Sequence, residues 1–192
     1  MDLTRTTDRT RDIAVAIGDD QLHLPTPADQ SVQQLVLHLL GLCVAFRDAA
    51  AKVDGPTTST PPRPSDGALP DGWRRLVGDR LDELAHAWRD ESAWTGMTKA
   101  GGVDLPGEVA GIVALDEVLL HGWDLATATG QEYDVSDQEA EAVLPFVTPD
   151  DSDPDGTGRA GLFGPVVPVP AGAPLFDRVL GRAGRDPGWR SS

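Results

Sequence analysis

The stretch "ALDEVLLHGWDLATATG", residues 114–130, decides the fold. Its Ala and Leu residues favour helix, and Gly130 is suited to a left-handed C-cap, so a helix over about 107–129 is predicted. Yet Glu117, His121 and Asp124 stand four and three residues apart in this apolar run, which puts them along one side of a helix. Val113, Leu120 and Leu125 are expected to face a core. A carboxylate turned the same way costs several kcal/mol unless something compensates it. Two readings stay open on spacing alone. Glu117 and His121 are either a surface i,i+4 pair or two ligands presented to a divalent cation from one helix. Asp124 either steadies the ring of His121 or faces water.

Working outward, "ADQSVQQLVLHLLGLCVAFRDAAAKV" reads as a second long helix, over about 29–53. Asp29 or Ser31 caps it, and Val32, Leu35, Val36, Leu39, Leu42, Cys43 and Phe46 form its stripe. His38, in the middle of that helix, is the best candidate for a third ligand; alone, it equally fits a core or boundary histidine. A third helix over about 70–94 has Trp73, Leu76, Val77, Leu81, Leu84, Ala85 and Trp88 on its inner face and charged residues outside. A first helix over about 2–18 is predicted from Leu3, Thr6, Thr10, Ile13 and Ile17, weakened by its threonines. Ser136 with Glu139 fits a capping box for a short fifth helix over 136–146. "TGMTKAGGVDLPG" reads as a connector. The Pro-rich 54–70 segment and the acidic 149–158 segment read as loops that could flank a pocket. From about 147 to 192 the chain reads as an irregular, Pro-rich extension with a short terminal helix in "PLFDRVLGRAG". The expectation is therefore all-α: an up-and-down four-helix bundle, one domain spanning 1–192.

The bulk composition narrows the function. The chain has 192 residues, enough for one real core, and a formal net charge of −15. So negative a surface repels nucleic-acid phosphates and anionic lipid, so neither is expected as a partner. Only Lys52 and Lys99 are lysines among 16 basic residues; with abundant Ala, Gly, Asp and Pro, this is the pattern of a GC-rich, actinobacterial genome. The single cysteine, Cys43, cannot form an internal disulfide and reads as a small core residue. With no signal-like segment, a cytoplasmic protein is expected. The longest apolar run, 35–46, falls short of the roughly 18–20 residues of a membrane span. His23, in a Pro-flanked loop, and His86, on a polar helix face, are expected to be structural or solvated. Phosphate loops, dinucleotide fingerprints, CxxC pairs and a nucleophile elbow are absent.

Three of these stretches together resemble a known family. "LPTPADQSVQQLVLHLLG" is similar to the segment with which DinB-like and mycothiol-dependent maleylpyruvate isomerase-like proteins open their second helix. "DEVLLHGWDLATATG" resembles their Glu-x3-His-x-Trp-Asp-Leu-Ala helix, and "GLFGPVVPVPAGAPLFDRVLGRAGRDPGW" the tail of one actinobacterial subgroup. The resemblance implies a four-helix bundle holding one divalent metal, often zinc, through His38, Glu117 and His121. Ni2+, Fe2+ and Mn2+ are the other candidates. It also implies mycothiol as cosubstrate. Gln30 stands where the family usually has Trp.

Two His and one Glu leave a tetrahedral cation an open position, as in catalytic sites. A thiol entering there loses its proton and becomes a nucleophile at neutral pH, for S-transfer or isomerisation of an electrophile. Asp124 would then fix the tautomer of His121. The expected function is thus a metal-dependent thiol transferase or isomerase, acting as monomer or homodimer. A non-catalytic metal-binding module and a metal-dependent hydrolase are the alternatives.

Overall fold

The computed structural model of the chain describes residues 2–61, 67–159 and 161–191. Seven helices lie in the described residues: α1 (Thr4–Ala16), α2 (Val32–Ala50), α3 (Pro56–Ser59), α4 (Trp73–Ala87), α5 (Gly107–Ala128), α6 (Asp137–Val147) and α7 (Leu175–Arg182). Between α4 and α5 come two short strands, β1 (Met97–Ala100) and β2 (Val103–Pro106). The fold is mainly helical.

The four long helices pack so that α1 and α2 each touch both α4 and α5. α2 starts where local chemistry directs: Ser31 Oγ accepts from the Gln34 backbone N–H (3.2 Å), and Gln34 Oε1 accepts from the Ser31 N–H (3.0 Å). Asp29, the other cap candidate, lies before the helix with φ of 57°. The α2 stripe from Val32 to Phe46 is buried, Cys43 with it. Burial pushes the Cys43 thiol up to about 12, which leaves no thiolate at neutral pH. α5 is apolar on nearly every side, with 16 of its 22 residues buried, so it is the central helix. Gly122 lets it approach α1, because a Cβ there would strike the hydroxyls of Tyr133 and Thr10. By length and composition α2 could cross a bilayer, against the expectation from the 35–46 run. In this fold that apolar character covers α4 and α5.

The threonines of α1 sit inside because each hydroxyl has a partner. Thr6 donates to Glu139 Oε1 (2.7 Å), Thr7 to the Thr4 carbonyl (3.0 Å), and Thr10 to the Val118 carbonyl (3.2 Å). α4 ends at Ala87, and a tighter turn, Glu91–Trp94, follows where a continuous helix to 94 is predicted.

The connector is corrected to an antiparallel hairpin, so the chain is not purely helical. Ala100 pairs with Val103 across a two-residue turn, Gly101 and Gly102, with φ of 58° and 84°. That conformation suits a primed turn, which matches strand twist. The C-terminal segment is also more than an irregular extension. Val179, Leu180 and Ala183 are buried, and α7 packs on α6.

Candidate metal centre

α5 places Glu117 and His121 one turn apart, and α2 brings His38 against them from the neighbouring helix. His121 Nε2 lies 3.0 Å from Glu117 Oε2, and His38 Nε2 lies 3.9 Å from the same oxygen. One ligand atom from each residue falls within 4.8 Å of the others. The imidazole rings meet edge-on, 5.1 Å between centroids. His121 is buried; His38 and Glu117 are partly so.

Asp124, one turn beyond His121 and fully buried, has its Oδ2 3.1 Å from His121 Nδ1. The same oxygen accepts from Arg185 Nη2 at 3.2 Å. A proton on Nδ1 directed at Asp124 leaves Nε2 as the atom facing the cluster.

The electrostatics favour a cation at this point. Burial disfavours a charged His121, but hydrogen bonds to Asp124 and Glu117 outweigh it and raise its pKa to about 9. Burial and the neighbouring His121 push His38 down, so His38 stays a neutral donor. Burial alone would raise the carboxyl pKa values of Glu117 and Asp124. The His121 hydrogen bond and the His121 charge hold Glu117 low; Arg185 first, then His121, holds Asp124 low. Two imidazole nitrogens and one carboxylate oxygen are a donor set that zinc and similar divalent ions accept. These residues fit a resident cation.

A cavity of about 40 Å³ opens beside the cluster, with Glu117, His121, Asp116 and Arg185 on its polar side. Phe146 and Phe163, stacked edge-on at 5.6 Å, and the exposed Leu162 form part of its apolar side. The wall thus comes from residues on either side of the acidic 149–158 segment, not from that segment. Residues 62–66 of the Pro-rich loop lie outside the described residues. His86 is exposed on α4, and His23 is exposed before α2. Gln30 and His23 border a separate open cleft with Trp189 and Arg190. The sequence reading missed Asp116 and Arg185. Asp116 is adjacent to Glu117 in "LDEVLLH", and Arg185 lies 61 residues from its partner Asp124.

Fold and site together define a mainly helical protein with a two-histidine, one-glutamate cluster beside a small cavity. The chain belongs to the family described by the mycothiol maleylpyruvate isomerase N-terminal domain, whose model matches residues 3–126. Two solved structures share the fold. One, a mycothiol-dependent maleylpyruvate isomerase, has a TM-score of 0.60 and 18% identity, covering 98% of this chain and 79% of that one. The other is a histidine-to-alanine mutant of a protein so described, with a TM-score of 0.58 at the same identity and coverages. No curated protein matches the chain.

Proposed function

We propose that this protein holds one divalent cation between His38, Glu117 and His121 and acts on a small electrophile with a low-molecular-weight thiol. Family membership makes mycothiol the first candidate thiol and isomerisation the first candidate reaction. The observation that carries the reading is the meeting of three ligand atoms, from two helices, within 4.8 Å. We read the four long helices that frame it as an up-and-down bundle.

A bound divalent ion, zinc first for this donor set, favours thiolate over thiol at neutral pH. The chain's residues supply the rest. His38 offers a neutral nitrogen, His121 offers one once its Nε2 proton has left, and Asp124 holds the Nδ1 proton of His121, aiming Nε2 at the cluster. Arg185 keeps Asp124 in place and adds positive charge to a cavity wall that would receive an anionic electrophile. The cavity beside the cluster is small, about 40 Å³. It therefore takes only the reacting ends of the ligands, and the bulk of a larger thiol lies outside. The thiolate adds to one carbon of a conjugated cis double bond, and the electron pair moves onto the carbonyl. The new single bond rotates, and expulsion of the thiolate restores the double bond as trans. No oxidant and no net proton are needed.

The test is elemental analysis followed by an electrophile screen with maleylpyruvate as first substrate. About one metal per chain and thiol-dependent conversion that a chelator abolishes are expected. Metal without turnover would favour a binding module. Conversion without thiol would favour hydrolysis. No metal would overturn the site.

A further inference from the structure

Three acidic side chains are buried in the described fold: Asp116, Asp124 and Glu139. Two are paired. Asp124 meets His121 and Arg185, and Glu139 meets Arg9, Thr6 and Ser136. Asp116 is 3% exposed and has no hydrogen bond or ion pair among the described residues. Its Oδ1 is fully enclosed and unpartnered. A buried carboxyl left this way costs free energy that a partner would recover. Oδ1 itself is closed off, so a partner entering the cavity meets the other oxygen of this side chain.

Its position says which kind. Asp116 lines the same cavity as Glu117, His121 and Arg185. It is not among the three residues whose ligand atoms converge, and on a helix it lies about 100° round from Glu117. It therefore faces whatever lies beside the cation position, not the cation. A carboxyl keeps an acceptor oxygen in either protonation state, so it suits a hydrogen-bond donor. A thiol with an amide N–H or hydroxyl near its sulfur is well matched.

We propose that Asp116 is a specificity-determining residue of the cavity, accepting a hydrogen bond from an amide N–H or hydroxyl carried by the thiol close to its sulfur. This rests on the reading that a thiol binds at the His38–Glu117–His121 centre. The test is direct binding to the cobalt-loaded protein, read from the thiolate-to-cobalt charge-transfer absorption. The probes are N-acetylcysteamine, which carries an amide N–H, and propanethiol, which carries none. Wild-type protein should bind the amide thiol about tenfold more tightly than the alkyl thiol, as one hydrogen bond to a buried carboxyl implies. Asp116→Leu should abolish that preference while leaving cobalt stoichiometry and propanethiol affinity unchanged. Asp116→Asn, which keeps an acceptor oxygen, should retain most of it. Asp116→Leu breaks no hydrogen bond, so its melting temperature should not fall. A preference that survives in Asp116→Leu overturns the proposal. So does a wild-type protein with no preference, whatever the variants do. A wild-type protein that gives the band with neither thiol overturns the thiol reading itself, and this inference with it.

Discussion

Stripping divalent ions from the protein and restoring zinc should move its melting temperature by about 5–11 °C. The size follows from the geometry. Donor atoms about 2.0–2.1 Å from a tetrahedral zinc lie about 3.3 Å from one another. The pairs through Glu117 Oε2 stand at 3.0 and 3.9 Å and the whole set within 4.8 Å, so side-chain movements of about 1.5 Å or less close the cluster. The proton that His121 holds, with a pKa of about 9, must leave on binding, a cost contained in the apparent Kd at neutral pH. In the unfolded chain, positions 38 and 117 are 79 residues apart (117 − 38) and offer no common site. Binding to the native state alone at a free concentration 100 times Kd stabilises by about 2.7 kcal/mol. For a chain of this length each kcal/mol moves the midpoint roughly 2–4 °C, which gives the range stated. Differential scanning fluorimetry on chelator-treated protein, with and without zinc, measures it. His38→Ala should remove the shift, and His86→Ala, on the exposed face of α4, should leave it intact. A shift of equal size in both variants, or none in the wild type, refutes the three-residue centre.

Asp124→Asn keeps shape but loses the charge that orients His121, so zinc affinity should fall about 10–100-fold, read by competition with a chromogenic chelator. An unchanged affinity would show that His121 needs no help. Glu139, only 10% exposed along its side chain, is desolvated. Hydrogen bonds from Arg9, Ser136 and Thr6 nevertheless hold its pKa at about 2, against an ordinary 4.5. A depressed carboxyl contributes stability that is present above the ordinary value and lost as pH falls from about 4.5 to about 2. Glu139→Gln should therefore cost up to about 3 kcal/mol at neutral pH, the difference shrinking through that window in urea titrations. A cost independent of pH would count against it. Gly122→Ala forces a methyl onto the Tyr133 and Thr10 hydroxyls and should cost about 1–3 kcal/mol by the same titration.

How far the molecule could be read beforehand depends on where each signal lies. α2 and α5 were legible because a buried stripe, a capping box and a glycine stop all agree locally. The hairpin was not, although Gly101-Gly102 is a turn signal. Its strands are four residues long, and Met97 and Val103 are exposed, so no alternation marks them. α1 looked weak because threonine is a poor helix former. Its burial depends on Glu139, Tyr133 and the Val118 carbonyl, all more than 100 residues away. His38 and His86 were separable in sequence, since one lies in a mostly apolar helix and the other, between Ala85 and Ala87, on a polar helix face. The contact between His121 and Asp124 was also legible from their spacing, because i,i+3 contacts are local geometry.

Asp116 and Arg185 escaped for opposite reasons, and the contrast bears on how the site is built. Asp116 was hidden by proximity: next to Glu117, it reads as more of the same acidic patch until coordinates show it facing the cavity without a partner. Arg185 was hidden by distance. The three cluster residues all fall within the 3–126 region that the family model matches, whereas Phe146, Leu162, Phe163 and Arg185 lie beyond it. The donor set and much of the cavity wall thus come from different parts of the chain. α7 packs on α6, which in turn packs on α5, and Arg185 reaches Asp124, so the tail is anchored to the central helix both through α6 and at the residue that steadies His121. Substitutions at Leu162 or Phe163 can reshape what fits beside the cluster while His38, Glu117 and His121 keep their geometry.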